Sequence, residues 1–599
     1  MTKAKPILVC VAWPYASADI HQGNVTGSYL PADIYARYHR LRGNNVLMVS
    51  GSDSHGTPVT VKADEEGTTP EAVFQHYHHR FLELFQRLGL TYDLYTHTDT
   101  ENHYRVSQDM FLKLLEKEYL YRKTTEQMYS PASDRFLPDR YVEGTCPVCG
   151  YERARGDQCD NCNTLFESAS QLINPHSRMD DSALELRETE HFFLDLGQLA
   201  EDGLADWIQE DKEHWRPQVI NFARNLILNE GLHGRAVTRD MEWGIPVPVP
   251  GYEHKVLYVW FEAVIGYLSA AIEWAANQGN PEAWKKWWYG DDARTVYFIG
   301  KDNIPFHAII WPAQLLGVER LYEEDPDEQL NLPYDVPANE FMNMEGRKIS
   351  GSLNWGVWMH DALERHDPDP LRYYLTVAMP ETRDSDWSWG GYVERTNNEL
   401  VANWGNLVHR VLNMTRRYFD GVVPEPGELA EADRALLAAV DEGLKTVGAL
   451  YDAAKFRAAA SEAMAVATKV NQYLEEMSPW KTAKSDMEAT GRTLYTALQA
   501  LNGLKIIFAP ILPFTSQRLH EMLGEEGQLF GAQEVQTFEE DERSHTALTY
   551  DPTPAVGAWE RTEIPAGRKL QKPNPLFRKL DESVVEEELS RLVRPSETA

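Results

Sequence analysis

The pattern of apolar positions in the N-terminal part of the chain predicts alternating strands and helices. Residues 7–12 form a continuous apolar run, which is typical of a parallel strand buried on both faces. A second run, residues 46–49, leads into Gly51-Ser52-Asp53, and helices are predicted at residues 34–41 and 74–88 from their apolar faces. Strand, helix, strand, helix with short turns indicates a doubly wound α/β sheet, whose ligands bind at the carboxyl ends of the strands.

The rhythm changes twice further along the chain. It breaks over residues 120–235, which we interpret as an insertion, and strand-like runs resume at residues 255–259 and 295–299 as the second half of the sheet. Beyond about residue 397 long apolar stripes at helical spacing predict a helical bundle. They comprise Leu436, Leu437, Val440, Leu444, Val447 and Tyr451, then Leu494, Leu498, Leu501 and Leu504. From about Gln533 the chain is rich in proline and charge, and we expect it to wrap the surface loosely.

Composition narrows the class of protein. Of the 599 residues 43% are hydrophobic and 25% charged, as in a folded globular protein of several domains. The apolar run near the N-terminus is too short for a signal peptide or a membrane span, so we expect a cytoplasmic protein with no membrane partner. The net charge of −34 argues against indiscriminate binding of polyanions. It leaves room for a nucleic-acid partner, since phosphate contact needs only a local basic stripe.

Four of the five cysteines form a compact cluster inside the predicted insertion. Cys146 and Cys149 make one C-x-x-C pair, and Cys159 and Cys162 make a second. This spacing allows four thiolates to surround one tetrahedral Zn²⁺, and four cysteines leave no open position for a reactive water. We therefore expect one structural zinc ion per chain. The alternative is a pair of disulfides, which a reducing cytoplasm disfavours.

Two short motifs have the chemistry of phosphate binding. His21-Gln22-Gly23-Asn24 follows the first strand where a helix should begin, so free backbone N–H groups and the helix dipole favour an anion there. Lys348-Ile349-Ser350-Gly351-Ser352 lies far downstream. Either motif alone could be a common glycine turn or an exposed basic turn. Together, in this order and with the cysteine cluster between them, they resemble the HIGH and KMSKS signatures of class I aminoacyl-tRNA synthetases.

Further segments make the resemblance more specific. Residues 11–16, 53–58, 136–140, 258–260 and 298–302 resemble the methionyl-tRNA synthetase family of class Ia, in the same order and over roughly residues 5–500. The resemblance implies an α/β Rossmann catalytic domain (1–119 and 236–340) split by a zinc-binding connective-peptide insertion (120–235). It also implies a stem-contact fold with the KMSKS-like loop (341–396), an α-helical anticodon-binding domain (397–532) and a C-terminal tail packing on the surface (533–599).

The resemblance also implies residue roles in the catalytic domain. For ATP they are His21, Gly23, Asn24, Gly300, Lys301 and Lys348, with His21, Asn24, Lys348 and Ser350 as the catalytic set. For methionine, a thioether best held by aromatic walls, they are Trp13, Tyr15, Asp53, Trp260, Asp302, Phe306 and His307. Asp53 should pair with the α-ammonium group, although an Asp at a strand end can also form a turn or cap a helix. Without the resemblance, Trp260 and Phe306 could be ordinary core residues.

Three positions depart from the family pattern. Asn24 replaces the last residue of HIGH, but its amide can still donate to phosphate. Gly351 replaces the second lysine of KMSKS and supplies no cation, and loss of one preorganised donor costs on the order of 3 kcal/mol. Lys348, Arg347 or Lys301 compensates, or the enzyme is slow. Trp13 stands where many relatives carry an aliphatic residue, so it narrows the pocket at that wall.

The helical region carries a candidate anticodon site. Asn406 and Arg410 lie one helical turn apart and present to the same face. Trp480 offers a plane on which an unstacked base can lie, as is common in recognition of single-stranded RNA. Residues 403–410 and 478–480 match the anticodon-reading segments of the family. The alternative for Trp480 is a bulky residue that ends a helix beside Pro479.

The interpretation is an aminoacyl-tRNA synthetase that converts L-methionine and ATP, with Mg²⁺, into methionyl-adenylate and transfers the methionyl group to tRNA(Met). One rival is a synthetase for another aliphatic amino acid, but such enzymes carry a larger editing insertion than residues 120–235 can hold. The other is a synthetase-like paralogue that binds tRNA without activating an amino acid, with Gly351 marking a decayed site. The sequence shows no dimerising module after the bundle, so we expect a monomer.

Overall fold

The structure is a computed structural model. It describes residues 4–138, 141–156, 159, 161–162, 164, 166, 169–351 and 354–592. Two residues of the segment 136–140, Asp139 and Arg140, therefore lie outside the described residues, as does Ser352 at the end of the KMSKS-like motif.

The catalytic half is built around one mixed sheet. Among the described residues it has seven strands, in the spatial order Ala338–Asn339, Arg294–Gly300, Pro6–Val11, Asn45–Ser52, Leu94–His97, Ser544–Asp551 and Ala532–Glu539. The first five are parallel to one another, and the last two form an antiparallel hairpin. The predicted α/β sheet is confirmed, with Pro6–Val11 near its centre.

Both faces of this sheet are covered, as the continuous apolar run of the first strand predicts. Ile7, Val9 and Val11 belong to a core that includes the helices Leu30–Leu41 and Pro70–Leu88. The alternate residues Leu8 and Cys10 belong to a second core on the other face. That core is formed with the helices Glu101–Glu116, Gly266–Asn277 and Trp311–Val318. Side chains of one strand point alternately to opposite faces, so a strand between two helical layers must be apolar throughout.

The insertion contains two small antiparallel sheets. One has the order Arg235–Ala236, Glu185–Leu194, Leu120–Ser130 and Arg135–Phe136 among the described residues. The other places Val142–Thr145 between Ala154–Arg155 and Ile173–Ser177, and it carries the cysteine cluster. The remaining helices of this region are Leu196–Leu199, Ala205–Gln209 and Pro217–Arg224.

One predicted strand of the second half is wrong. Residues 255–259 do not join the main sheet, since the strand found there, Val256–Leu257, pairs with Thr238–Arg239 in a separate two-stranded ribbon. The helix Val259–Glu262 already begins at Val259. The apolar residues from this point on are therefore the buried residues of a helix rather than of a strand. The strand predicted at residues 295–299 is found as Arg294–Gly300.

The region after the sheet carries the KMSKS-like loop and the helical bundle. Met342–Met344 pairs in parallel with Ser385–Trp387, beside the helices Met359–Arg365, Pro368–Val377 and Trp389–Arg395. The bundle consists of Asn406–Phe419, Glu431–Asp452, Phe456–Met477, Pro479–Thr482, Met487–Phe508 and Pro513–Met522. Leu494, Leu498, Leu501 and Leu504 are fully buried in it. The predicted helical bundle is confirmed.

The C-terminal segment differs from the expectation of a loose tail. Residues 532–551, which we call the C-terminal hairpin, extend the catalytic sheet, with Leu548 opposite Tyr95. Beyond the hairpin the chain returns to the bundle, where Arg561 forms a two-bond salt bridge with Asp441. A short helix, Ser583–Ser590, then packs near residue 365. Prolines and charges here accompany extended backbone that is fixed by side-chain contacts.

A fully buried ion cluster joins the sheet to the bundle. Arg372, 0% exposed, donates to the Asp33 carboxylate at 2.6 Å and to the carbonyls of Pro510 and Ile511 at 2.9 Å each. Arg37 donates to the same carboxylate oxygen of Asp33 at 2.9 Å. We call Asp33, Arg37 and Arg372 the domain hub, since its hydrogen bonds link the helix Leu30–Leu41, which packs on the catalytic sheet, to the residues just after the helix Met487–Phe508.

One segment of the described chain, Val259–Asn277, is long and apolar enough by composition to cross a membrane, with a mean hydropathy of 1.2. However, 83% of its most apolar window is buried in this fold. Its apolar residues are therefore those of a core helix beside the sheet.

Candidate active site

The two phosphate-binding motifs lie on one cleft. This cleft, about 750 Å³ in volume, is lined by His21, Gly23 and Asn24 from one side and by Lys348 and Gly351 from the other. The two loops also touch each other. A Cβ atom placed on Gly23 would lie 3.0 Å from Ile349 Cδ1, and the backbone N–H of Val357 donates to Gln22 Oε1 at 2.7 Å. The chain thus brings two motifs more than 300 residues apart in sequence into direct contact.

The turn after the first strand fixes the protonation of His21. Its Nδ1 accepts from the backbone N–H groups of Gly23 at 3.1 Å and Asn24 at 3.3 Å. Asn24 Oδ1 in turn accepts a hydrogen bond from the backbone N–H of His21 at 3.1 Å. Burial lowers the pKa of His21 to about 4, so the ring is neutral and carries its proton on Nε2. His21 is therefore a hydrogen-bond donor in the cleft.

The KMSKS-like loop presents one lysine to the cleft and has space for a second. Lys348 is exposed and lines the cleft. Ser350 exchanges two backbone hydrogen bonds of 2.9 Å with Trp355, which closes the loop. Among the described residues, which exclude 352 and 353, a Cβ on Gly351 would meet only Trp358 Cη2, at 3.8 Å, and Gly351 is not among the glycines with positive φ. A longer side chain therefore fits at position 351 without backbone strain.

Lys301, predicted to contact ATP, is engaged elsewhere in this structure. Its ammonium group lies 2.7 Å from Glu340 Oε2 and 2.8 Å from Asp384 Oδ1, and 4.2 Å from the centre of the Phe341 ring. The neighbouring Gly300 lines the cleft. The ion pairs join the end of the strand Arg294–Gly300 to the region that carries the KMSKS-like loop.

Aromatic side chains form one wall of the cleft. Trp260 and Phe306 are stacked with ring centroids 4.2 Å apart, and Tyr15 meets Trp260 edge-on at 5.8 Å. His307 Nδ1 donates to the Asn303 carbonyl at 2.9 Å, so its Nε2 accepts from the Tyr267 hydroxyl at 2.7 Å. These rings form a preorganised apolar cup of the type that suits a thioether.

Trp13 is accommodated by two glycines. A Cβ on Gly51 would lie 2.1 Å from Trp13 Cζ3, and one on Gly266 would lie 2.6 Å from Trp13 Cζ2. The indole also stacks on His103, with a centroid distance of 6.3 Å. Any larger residue at either glycine would therefore displace the indole from the wall of the cleft.

Tyr267 is a cleft residue that the sequence analysis missed. Trp260, Ala263, Val264 and Tyr267 all line the cleft. Their spacing is i, i+3, i+4 and i+7, which is one face of a helix. That signal was present in the sequence, but the expected strand at residues 255–259 obscured it. Trp358, whose ring meets His21 edge-on at 5.9 Å, was also missed, and no local pattern marks it.

Asp53 lies at the end of the strand Asn45–Ser52, is 3% exposed and lines the cleft. Its Oδ1 accepts a 3.3 Å hydrogen bond from the backbone N–H of His55. Burial, and then the negative charge of Glu262, raise the pKa of Asp53 well above its ordinary value. A cationic ligand group would relieve this unfavourable charge. Asp302 also lines the cleft.

Behind Asp53 lies a buried group of ionisable side chains. Glu262, 0% exposed, accepts from His55 Nδ1 at 2.8 Å and His103 Nε2 at 2.9 Å. Burial opposes charge on His55, but the carboxylates of Glu262 and Asp99 together outweigh it and raise the pKa of His55 to about 10. His55 Nε2 lies 3.8 Å from Asp99 Oδ1. We call Asp53, His55, Asp99 and Glu262 the ammonium-side cluster.

The four cysteines have the geometry of a metal site. Their sulfur atoms lie within 4.8 Å of one another, with 3.8 Å between Cys146 and Cys162 and 3.6 Å between Cys149 and Cys159. Sulfurs bound to one tetrahedral Zn²⁺ are about 3.8 Å apart, so the residues fit the ion. A hydrogen bond with Thr164 lowers the pKa of the Cys162 thiol, which favours the thiolate that binds metal.

The predicted anticodon residues come together on the bundle. The guanidinium carbon of Arg410 lies 5.3 Å from the centre of the Trp480 ring, and Arg410 also pairs with Glu475 at 2.6 Å. Asn406 is exposed one turn before Arg410 on the helix Asn406–Phe419. The half-buried Arg410 and Trp480 are therefore in contact, and the exposed Asn406 lies one helical turn away from Arg410.

Comparison with known proteins identifies the class first. The family described as "tRNA synthetases class I (M)" matches residues 7–412. The family described as "Anticodon binding domain of methionyl tRNA ligase" matches residues 423–545. The chain belongs to the methionyl family of the class I tRNA synthetases, the methionine–tRNA ligases. This confirms the resemblance that the two motifs indicated.

Relatives cover nearly the whole chain. A methionine–tRNA ligase of Thermomicrobium roseum is 55% identical over 98% of this chain and 99% of its own length. One of Thermobifida fusca is 46% identical over 99% of each chain. A solved structure, Mycobacterium tuberculosis methionyl-tRNA synthetase in complex with methionyl-adenylate, is 24% identical, with a TM-score of 0.74 over 96% of this chain and 99% of that one. At that identity the likeness establishes the fold.

Proposed function

We propose that this chain, as a methionine–tRNA ligase, activates L-methionine with ATP to methionyl-adenylate and transfers it to the 3′ end of tRNA(Met) for initiation and elongation. The observation that carries the proposal is the convergence of the His21 turn and the Lys348 loop on one cleft beside Asp53 and an aromatic cup. Phosphate donors, an ammonium acceptor and an apolar cup within one cavity match three groups of the adenylate: its phosphate, its amino group and its thioether side chain.

In the first step the methionine carboxylate attacks the α-phosphate of ATP, and pyrophosphate leaves. The protein contributes positioning and charge stabilisation rather than a covalent nucleophile. His21 donates from Nε2 to a phosphate oxygen, the side-chain amide of Asn24 provides a further donor, and Lys348 stabilises the charge that develops on the triphosphate. Mg²⁺ bound to ATP would neutralise part of the phosphate charge.

Amino-acid selection takes place on the opposite side of the cleft. The Asp53 carboxylate accepts the α-ammonium group, and Trp13, Tyr15, Trp260, Phe306 and His307 surround the thioether. Asp302 orients groups at the edge of the pocket. Gly300 permits close approach of the nucleotide. Lys301 and Ser350 complete the proposed site, with Lys301 reaching ATP only after it leaves Glu340 and Asp384.

The second step attaches methionine to tRNA, whose terminal ribose 2′-OH attacks the adenylate. Asn406 and Arg410 hydrogen-bond the anticodon, and Trp480 stacks on one of its bases, supported by the cation–π contact already present with Arg410. One Zn²⁺ held by the four cysteines stabilises the insertion. We further propose a cytoplasmic monomer, with the domain boundaries expected above except that the C-terminal hairpin forms part of the catalytic domain.

Separate assays of the two steps test the proposal. Wild-type protein should catalyse methionine-dependent ATP–pyrophosphate exchange, and His21→Ala should lower that rate about 10²- to 10³-fold. Trp480→Ala should leave the exchange rate unchanged. It should weaken tRNA binding, measured as KM for tRNA in aminoacylation, by about 1–3 kcal/mol. Trp480→Phe, which keeps a stacking ring, is the matched control. If wild-type protein binds tRNA but shows no exchange, it is instead a paralogue without activation.

That second candidate is favoured by one observation, the glycine at position 351, and a gain-of-function variant addresses it. Gly351→Lys restores a cation where the loop has space for one. We expect it to increase the exchange rate, while Gly351→Met, of similar length but uncharged, should not. An equal rate in wild type and Gly351→Lys would mean that Lys348 or another cation already compensates.

A further inference from the structure

The C-terminal hairpin reaches the back of the methionine side of the cleft. Its turn docks on the start of the helix Glu101–Glu116, where the backbone N–H groups of Asp541 and Glu542 donate to the Glu101 carboxylate at 3.2 and 2.9 Å. This contact directs Arg543 inward. Arg543 Nη1 donates to Asp99 Oδ1 at 2.9 Å, and its guanidinium carbon lies 5.0 Å from the centre of the Tyr104 ring.

Arg543 thereby neutralises one carboxylate of the ammonium-side cluster. His55 lies between two carboxylates, with Nδ1 2.8 Å from Glu262 and Nε2 3.8 Å from Asp99. The cluster has three carboxylates but only one internal cation, the protonated His55. Without Arg543, Asp99 and Glu262 would compete for that imidazolium. When Arg543 pairs with Asp99, the His55 imidazolium can pair with Glu262, and the backbone N–H of His55 can donate to Asp53.

This pairing of charges leaves Asp53 as the carboxylate available to accept the substrate ammonium group. Asp99 has Arg543, and Glu262 has His55. Among the described residues Asp53 has no cationic side chain in ion-pair contact, and it is the carboxylate of the three that lines the cleft. We propose that Arg543 is a positioning residue for the methionine ammonium site, acting through Asp99 and His55 to keep Asp53 available for the substrate. This inference rests on the proposed role of Asp53.

The test is a double-mutant cycle on Arg543 and Asp99, measured as KM for methionine and kcat in pyrophosphate exchange. Arg543→Gln should raise KM for methionine about five- to tenfold with kcat and KM for ATP within about twofold of wild type. Asp99→Asn alone should also raise it, because it removes the nearer of the two carboxylates that Arg543 contacts and leaves Glu540, at 3.6 Å, as its acidic partner. The double variant should return to within about twofold of wild type, because both charges are gone. Arg543→Lys should retain most of the effect of arginine.

A matched control separates the effect of the Arg543 charge from the effect of loosening the C-terminal segment. Arg561→Gln removes a two-bond salt bridge of the same C-terminal segment, with Asp441 on the bundle, and does not approach the cluster. It should leave KM for methionine unchanged. The proposal is overturned if Arg543→Gln has the wild-type KM, or if the double variant is as impaired as Arg543→Gln, even where that impairment includes lower thermal stability. Absence of exchange in wild-type protein would instead refute the proposed function.

Discussion

Two buried groups of charged residues in this chain differ in how fully their carboxylates are paired. In the domain hub the Asp33 carboxylate, 0% exposed, accepts four hydrogen bonds: from Arg37, from Arg372, and from the N–H and hydroxyl of Thr91 at 2.8 and 2.6 Å. In the ammonium-side cluster the Asp53 carboxylate, 3% exposed, accepts one hydrogen bond from the described residues, from the backbone N–H of His55. Equal burial thus accompanies very different local pairing.

The pKa values respond in opposite directions. Burial by itself would raise the pKa of Asp33, but the charges of Arg37 and Arg372 outweigh it, and the pKa is lowered. At Asp53 burial and Glu262 act together, and the pKa is raised. A buried carboxylate with two guanidinium partners holds domains together, whereas one that lacks a cation stores an unfavourable charge that a ligand can relieve. The contrast agrees with a structural role for Asp33 and with the ligand-binding role proposed for Asp53.

The largest expected effect is at the hub. Arg372→Met keeps an apolar stem of similar volume but removes one cation from Asp33 and the donors to Pro510 and Ile511. The free energy of unfolding should fall by about 3–5 kcal/mol, the cost of breaking a buried pair from one side. Denaturant unfolding at pH 7 measures it. Arg395→Met, which removes an exposed i,i+4 pair with Glu399, is the control and should change stability by about 0.5 kcal/mol.

The second effect falls on function rather than stability. Asp53→Asn removes the proposed partner of the ammonium group. The binding free energy of methionine should weaken by about 2–5 kcal/mol, so that KM for methionine rises roughly 30-fold or more. The free energy of unfolding should stay equal or rise by about 1 kcal/mol, because a strained buried charge is gone. KM for ATP serves as the internal control. A loss of stability comparable with that of Arg372→Met would contradict the comparison.

The smallest effect is in the pH dependence of stability. The folded-state pKa of Asp53 lies above its unfolded value, so wild-type protein loses stability as pH rises through that folded pKa. Asp53→Asn lacks this loss. The difference in unfolding free energy, variant minus wild type, should therefore grow with pH above about 4, at no more than about 1.4 kcal/mol per pH unit. Unfolding curves from pH 4 to 8 measure it, and a difference that shrinks with pH would refute the assignment.

Asp33 gives the opposite sign within the same comparison. Its folded pKa is lowered, so its contribution is present above the unfolded pKa and is lost as pH falls through the folded value. Between pH 4 and 8 the hub should therefore contribute nearly constant stability. Arg372→Met should then differ from wild type by a nearly constant amount across that range, in contrast to Asp53→Asn.

Local sequence signals predicted the elements that depend on local patterns. The apolar run at residues 7–12 predicted a strand between two helical layers, and the two C-x-x-C pairs predicted four sulfurs in close proximity. The strand at residues 255–259 was wrong because apolar residues alone do not distinguish a strand from the first turn of a buried helix. The role of residue 260 and its helical neighbours was accessible from their spacing once a helix was recognised.

Long-range pairings were not accessible in this way. The strand Ser544–Asp551 pairs with Leu94–His97, and Arg543 meets Asp99 across 444 residues of sequence. No local periodicity marks such a contact, because each partner has an ordinary local environment. The loose tail was predicted from proline and charge content, but extended segments that dock through side chains have the same composition. Similarly, the pairing of Lys301 with Glu340 and Asp384 depends on tertiary structure alone.

The position of the C-terminal hairpin has a consequence for synthesis on the ribosome. The strand that borders Leu94–His97 emerges only after the insertion and the whole helical bundle have been translated. Until then the nascent catalytic domain has an open sheet edge, and Asp99 has no guanidinium partner. Completion of the proposed ammonium site is therefore delayed until the C-terminal hairpin has left the exit tunnel.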